Sequence, residues 1–347
     1  MILKQIFMKK FLLVACSLSL CAVSFASDPK IKSAESYQFE TEILFGGKGG
    51  WDYPSLEPKS HQLFISHADR IVVIDAQAKK VIKEISDTPG VHGIAIASDL
   101  KKAFSSHGKE GKVGVIDLTS LTLKSKITVG ENPDTILYVP SEEEVYVFNG
   151  GSKSVSIIDA KSEKVKMTLT LPGSPEFAVV DSVLSRVFVN LEDKNSLLAL
   201  NTKTHQIEAT WKLEGCEGPS GLALDAKNHR LFSVCENEKM VMVNGVSGKT
   251  IASVPTGLGT DGAEFDQEKM LAFASNGKSG TLTVAKEESP DKLTLMQTVK
   301  TEPGARTIVL DPIDHRIYLP TAQFEPAVKG ERPKPVEGTQ KVLVYKP

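Results

Sequence analysis

One sequence pattern recurs six times along the chain at a nearly constant spacing. Each copy is a run of alternating apolar residues, a closing polar residue, a polar turn and a second alternating run. The closing residues are Asp75, Asp117, Asp159, Asn201, Asn244 and Lys286, so neighbouring copies are 42 or 43 residues apart. Chance does not keep such a register, and the pattern therefore predicts a repeat architecture.

Between these copies lie two further short alternating runs around a polar turn, as in GIAIASDLKKAFSSH and GLALDAKNHRLFSVC. Alternation predicts strands, and helical periodicity is absent from the sequence. Four strands in a unit of about 40–45 residues are typical of a propeller blade. The sequence thus predicts an all-β fold, a seven-bladed β-propeller with four antiparallel strands per blade.

The two ends of the repeat region predict how the ring closes. The seventh unit ends at KVLVYKP without an outer strand, and residues 37–46 form a lone alternating run before the first blade. We expect this N-terminal run to complete blade 7 and so remove a free sheet edge. The seventh unit also carries an insertion at 323–340, which we interpret as an extended loop that is either a lid or partner contact or a neutral insertion.

The sequence FGGKGG, at 45–50, joins this closing run to the first blade. A glycine-rich loop with a lysine suggests a phosphate site. However, the stretch lacks the G-K-[ST] ending, and no helix is predicted after it. We expect its glycines to serve a tight crossing from the rim of the ring to its axis.

Residues 1–26 have the order of a secretory signal peptide: lysines at 4, 9 and 10, an apolar run, then small residues before a cleavage site after Ala26. An uncleaved anchor is the alternative. We therefore expect a single propeller domain at 27–347 that is periplasmic or secreted, with no transmembrane segment in the mature chain. The net charge of −2 does not favour a polyanion-binding protein.

Two cysteines, Cys216 and Cys235, remain once the leader is removed. In an oxidising compartment such a pair indicates one disulfide. Cys216 precedes the fifth blade and Cys235 ends its second strand, which places both on one face of the ring. A metal or redox role is the alternative.

The connections between blades predict a binding site. We name the strands of a blade A to D from the axis outward, and we call the face that carries the D-to-A connections and B-to-C loops the upper face. Aligning the D-to-A connections gives the candidate ligand-binding residues Trp51, Asp52, His92, Asp134, Glu176, Ser220, Asp261 and Arg306. One arginine among several acids predicts a site for a cation or a polar ligand. Alternatively, polar residues recur here because tight turns need them.

The histidines divide between the two faces. His67, His92 and His107 belong to the upper face and are candidate ligands of a divalent metal. The alternative is turn capping, because asparagine occupies the aligned positions of other blades. The remaining four lie in lower-face turns and are interpreted as turn residues: His61, His205, His229 and His315.

Several phrases of the sequence carry a family resemblance: GGWDY, PGVHGIA, NPDTILY, PEFAVVD, NLEDK, SNGKSGTLTV and GARTIVLDP. With them the chain resembles the YVTN-type (YncE-like) seven-bladed propellers from about Tyr37 to its C-terminus. The resemblance implies an exported propeller. Similar propellers act as lactonases, as domains of periplasmic redox enzymes and as binding proteins, and no catalytic motif of theirs matches this sequence residue by residue.

These observations favour a ligand-binding or protein-interaction scaffold with its site on the upper face. The expected partner is a small ligand or a periplasmic protein, and no cofactor is predicted. One alternative is a metal-assisted, lactonase-like hydrolase. Another is a nucleic-acid-binding propeller, since every B-to-C loop of the first six blades carries a base. Acids in the same loops indicate an ordinary solvated surface instead.

Overall fold

The computed structural model describes residues 36–326 and 333–347. Within them the chain forms seven four-stranded antiparallel sheets arranged as the blades of a ring. The predicted seven-bladed β-propeller is therefore confirmed. The leader and its cleavage site at Ala26 lie outside the described residues.

The first four blades follow one plan, in which each strand pairs with the next along the chain. Blade 1 contains β2 (Trp51–Glu57), β3 (Gln62–His67), β4 (Arg70–Asp75) and β5 (Lys80–Ile85). Blade 2 contains β6 (Val91–Ala97), β7 (Lys102–His107), β8 (Lys112–Asp117) and β9 (Thr122–Thr128). Blade 3 contains β10 (Pro133–Val139), β11 (Glu144–Asn149), β12 (Ser154–Asp159) and β13 (Lys164–Thr170). Blade 4 contains β14 (Pro175–Asp181), β15 (Arg186–Leu191), β16 (Ser196–Asn201) and β17 (Ile207–Lys212).

The last three blades complete the ring. Blades 2 and 4 each also contain one 3-10 turn, at Ser98–Leu100 and Glu192–Lys194. Blade 5 contains β18 (Pro219–Asp225), β19 (Arg230–Cys235), β20 (Lys239–Asn244) and β21 (Thr250–Pro255). Blade 6 contains β22 (Thr260–Asp266), β23 (Leu271–Asn276), β24 (Thr281–Ser289) and β25 (Lys292–Lys300). Blade 7 contains β26 (Val309–Leu310), β27 (Ile317–Thr321), β28 (Lys341–Lys346) and the N-terminal β1 (Gln38–Leu44).

Blade 7 is built from both ends of the described chain. Strand β1 lies antiparallel to β28, with Gln38 opposite Lys346 and Leu44 opposite Lys341. Tyr37, just before β1, is buried and donates its hydroxyl hydrogen to the backbone oxygen of His315, at 2.9 Å. The predicted closing strand is thus confirmed.

The hydrophobic core lies between neighbouring blades. Strands B and C are apolar over most of their length because both sheet faces are covered by adjacent blades. Between blades 1 and 2, for example, Phe64 and Val73 pack in one cluster with Ile94 and Ile116. Full burial of such a side chain contributes about 1.5–3 kcal/mol, so the blade interfaces supply much of the stability.

The glycine-rich crossing before blade 1 adopts the backbone that was predicted for it. Gly47 has a φ of 102°, which side-chain-bearing residues rarely adopt. A Cβ atom at this position would lie 1.8 Å from a guanidinium nitrogen of Arg70. The crossing is also held to the other end of the chain, since the backbone N–H of Gly338 donates to the Gly47 oxygen at 2.8 Å.

Cys216 and Cys235 form a disulfide, with their Cα atoms 5.4 Å apart. This confirms the pairing expected from the sequence. The bond joins the crossing that enters blade 5 to the end of β19 in the same blade. A loop of this size contributes about 3 kcal/mol in the chain-entropy description of disulfides.

Across residues 36–326 and 333–347, no helix combines the length and the apolar character that crossing a lipid bilayer requires.

Candidate functional site

Seven residues, here called the mouth ring, surround the upper end of the propeller axis. Six of them are the second residue of strand A in blades 1 to 6, and the seventh precedes β26 in blade 7. In chain order they are Asp52, His92, Asp134, Glu176, Ser220, Asp261 and Arg306. The alignment of the repeats therefore selected equivalent positions of the fold.

A break in strand pairing sets these positions apart. In blade 1, Asp52 and Tyr53 together face the single residue Ser66 of β3. Blades 2 to 5 repeat this two-against-one arrangement, and blade 6 has a register shift at the equivalent place. Such a β-bulge bends the strand and re-aims its side chains. The second residue of each inner strand thus belongs to a bulge and not to the regular ladder.

Four of the seven mouth-ring residues are joined by polar contacts across blades 6, 7, 1 and 2. Arg306 donates through Nη1 to Asp261 Oδ2 and through Nη2 to the backbone oxygen of Trp51, the latter at 3.1 Å. Its Nη2 also lies 3.3 Å from Asp52 Oδ1. The other carboxylate oxygen of Asp52, Oδ2, lies 2.7 Å from His92 Nδ1. This hydrogen bond raises the pKa of His92, against the opposing effect of burial.

The two remaining acids of the mouth ring, Asp134 and Glu176, are not joined to this series by a short contact among the described residues. Asp134 Oδ1 is buried and has no hydrogen-bond partner among the described residues, and its nearest basic atom is His92 Nδ1 at 3.8 Å. Burial and the charge of Asp52 raise the pKa of Asp134 to about 6. Burial and the charge of Asp134 raise the pKa of Glu176 to about 9. Acidic groups therefore crowd together here, and His92 only partly offsets the charge of Asp134.

Residues that follow the mouth-ring positions on the inner strands line a channel of about 340 Å³. Tyr53 of blade 1 and Phe177 of blade 4 line it, and their ring centroids are 5.1 Å apart. Burial, followed by the charges of acids of the mouth ring, raises the pKa of Tyr53. Glu264 also lines the channel, and burial raises its pKa to about 8. These three residues were not predicted from the sequence, because each lies one or three positions beyond the aligned residue.

Two predicted site residues use their side chains elsewhere. The indole of Trp51 is buried in the cluster between blades 7 and 1, with its ring centroid 6.1 Å from that of Phe324. The Ser220 hydroxyl donates to the backbone oxygens of Thr260 and Asp261 in the next blade, at 3.3 and 3.1 Å. These two residues therefore support the site, whereas the charged members face the mouth.

The three upper-face histidines do not gather around one point. In the described part of the chain, the one group of three or more His, Cys, Asp and Glu residues with donor atoms within 4.8 Å is Asp52, His92 and Asp134. His67 and His107 are fully buried in blades 1 and 2. Burial, then the charges of Arg70 and Lys126 respectively, lowers the pKa of each to about 4. Of the candidate metal ligands, only His92 has neighbouring carboxylates that form such a group.

The four lower-face histidines have a role that the sequence analysis missed. Each stands in a turn with positive φ, as expected, but each also contacts a buried carboxylate of the preceding blade. The nitrogen–oxygen distances are 2.6 Å for His229–Asp181, 2.7 Å for His315–Asp266, 2.9 Å for His205–Glu144 and 3.5 Å for His61–Asp311. The sequence contains a recurring sign of such carboxylates, because strand A ends in an aspartate in blades 4, 5 and 6.

Several bases of the upper loops are paired with acids. Lys153 Nζ lies 2.8 Å from Asp193 Oδ2 in the next blade, and Lys112 Nζ lies 3.6 Å from Glu110 Oε2. This is the mixed-charge surface that the acids in these loops indicated. Nucleic-acid binding stays a prediction that no contact described here favours.

No protein-family model matches the chain, and no curated protein matches it in sequence. Solved structures do match. Hydrazine synthase of Kuenenia stuttgartiensis is 16% identical with a TM-score of 0.68, covering 78% of this chain and 92% of that one. The RRP9 WD40 repeats are 10% identical with a TM-score of 0.76, covering 90% and 100%. U3-55K is 10% identical with a TM-score of 0.73, covering 87% and 97%.

At these identities the likeness shows the fold alone. The chain is a seven-bladed β-propeller whose structural neighbours include WD40 propellers. Such a rigid ring, with loops presented on two faces, is a scaffold that suits protein interaction.

Proposed function

We propose that the chain is an exported propeller of the YVTN type that binds a cationic ligand at the mouth ring and so acts as a ligand-binding or interaction scaffold. The family phrases quoted above and the predicted leader support the family and a periplasmic or secreted location. The disulfide is compatible with an oxidising compartment.

The observation that carries this proposal is the crowding of acidic groups at the mouth ring. Four carboxylic acids stand against one guanidinium and one histidine, and the guanidinium contacts only two of the acids, Asp52 and Asp261. The buried Oδ1 atom of Asp134 has no donor within the described residues. Because an unpaired buried acceptor and crowded acids both cost free energy, a bound cation would relieve both.

A thermal-unfolding screen tests the proposal with three classes of solute: small cations, anions and uncharged solutes. We expect only cations to raise the unfolding temperature, since a ligand that binds the native state stabilises it. The double variant Asp134→Asn/Glu176→Gln should lose this response. The control Glu217→Gln, an exposed acid on the same face, should keep it. An identical cation response in the double variant would contradict the proposed site.

The lactonase-like alternative has one specific observation in its favour, the group formed by Asp52, His92 and Asp134. Two carboxylates and an imidazole suit a divalent transition metal. Such a metal would polarise the carbonyl of an ester. In this account, protein purified under native conditions contains metal and hydrolyses a lactone until a chelator is added. A metal-free preparation that neither binds zinc nor cleaves lactones would exclude this alternative.

A further inference from the structure

We propose that the ligand of the mouth ring is a small organic ammonium compound, with its ammonium group between Asp134 and Glu176 and its apolar part against Tyr53 and Phe177. This inference rests on the proposed function and narrows it to one chemical class.

Arg306 divides the acids of the mouth ring into two pairs. Its guanidinium lies between Asp261 and Asp52, so these two acids already have a cationic partner. Asp134 and Glu176 belong to blades 3 and 4, on the far side of the axis from blade 7. The arginine therefore leaves one pair of acids open, and a second cationic group has a defined place.

The open acids, Asp134 and Glu176, are poorly supplied with hydrogen-bond donors. Asp134 Oδ1 is buried without a donor, and the charges that act on the carboxyl of Glu176 are those of other acids, first Asp134 and then Asp261. An ammonium group carries three N–H donors and no acceptor, which matches these two acids when both are ionised. A divalent metal would instead be expected at Asp52, His92 and Asp134, where Glu176 has no role.

Tyr53 and Phe177 form an aromatic pair next to the open acids. Each follows a mouth-ring acid directly in the sequence, and their centroids are 5.1 Å apart at the channel wall. Aromatic faces attract organic cations through the negative face of the ring. Isoleucines line the channel beyond them, namely Ile94, Ile96, Ile136 and Ile308. Neither feature favours a hydrated metal ion, whereas both favour an amine that has an apolar portion.

Isothermal titration calorimetry with four probes tests the inference: phenethylamine, the uncharged 2-phenylethanol, zinc chloride and calcium chloride. We expect phenethylamine to bind and 2-phenylethanol not to bind. At pH 9, where a large fraction of Glu176 is ionised, Glu176→Gln should weaken phenethylamine binding about tenfold or more, because a charge-assisted hydrogen bond is lost. Phe177→Leu should weaken it severalfold by removing the aromatic face. Glu217→Gln should bind as the original protein does.

The outcomes separate the two proposals. If phenethylamine and 2-phenylethanol bind equally, or if Glu176→Gln leaves amine binding unchanged, the inference is overturned. If zinc or calcium binds and the amine does not, the inference fails while the cation site stands. If no cation of either kind binds, both fail. Thermal unfolding of each variant verifies that it is folded before it is titrated.

Discussion

The Nδ1 atom of His92 in blade 2 lies 2.7 Å from Oδ2 of Asp52 in blade 1. This contact continues a chain of polar interactions that begins at Asp261 in blade 6 and passes through Arg306 in blade 7. Four of the seven blades are therefore joined at the mouth. This series of contacts does not include Asp134 or Glu176, which are the open acids of the mouth ring.

The hydrogen bond to Asp52 is the main cause of the raised pKa of His92. Replacing the carboxylate by an amide removes the charge, so Asp52→Asn should lower the pKa of His92. Titration of the histidine ring signals by NMR measures this change. Glu217→Gln provides the control, and an unchanged pKa for His92 in Asp52→Asn would contradict the assigned contact.

Binding of an ammonium probe should depend on pH through Glu176. Its pKa of about 9 means that the carboxyl is protonated at neutral pH and must release its proton when a cation binds. Phenethylamine, whose amine stays protonated over this range, should therefore bind more tightly as pH rises from 7 to 9, by up to about tenfold per pH unit. Calorimetry across this range measures the effect, and Glu176→Gln should flatten the profile. A flat profile in the original protein would count against this role of Glu176.

The lower-face contacts between blades allow a matched comparison of stability. His229 and His61 occupy equivalent turns with the same φ of 53°, but their carboxylate partners lie at 2.6 and 3.5 Å. Alanine at either position loses the same backbone preference, so the difference between the variants reports the hydrogen bond. We expect His229→Ala to cost about 1 kcal/mol more than His61→Ala in urea unfolding. Equal losses would show that the shorter contact contributes nothing.

Glu287 should make stability fall as pH rises. It is 2% exposed, its Oε2 atom has no hydrogen-bond partner among the described residues, and burial with the charge of Asp225 raises its pKa to about 7. Because the pKa of Glu287 in the folded state lies above its unfolded value, the protonated side chain carries no ionisation cost below about pH 4. The free-energy cost of ionising it in the folded protein grows as pH rises to 7. Glu287→Gln should thus be about 1–3 kcal/mol more stable than the original protein at pH 8 and similar to it at pH 4. Urea unfolding at both pH values measures this, and no gain at pH 8 would contradict it.

The repeat made much of the fold predictable from the sequence. A constant period locates equivalent positions in every blade, which is why Asp52 and Asp134 could be aligned without coordinates. The absent outer strand of blade 7 likewise predicted the pairing of β1 with β28, because an open edge must be covered.

The repeat could not show where side chains of the aligned positions point. Trp51 and Asp52 are neighbours in sequence, yet the indole of Trp51 is buried between blades, whereas the carboxylate of Asp52 belongs to the mouth ring. The bulge that separates them has no distinct sequence signal. The contact of Tyr53 with Phe177 was equally hidden, since it joins blades that are not neighbours along the chain.

A crystal structure of the protein with bound phenethylamine would locate the ligand itself. We expect electron density at the mouth ring, with the amine nitrogen within hydrogen-bond distance of both Asp134 and Glu176 and the phenyl ring against Tyr53 and Phe177. Binding on the lower face or between blades, with the mouth ring free of the probe, would contradict this expectation.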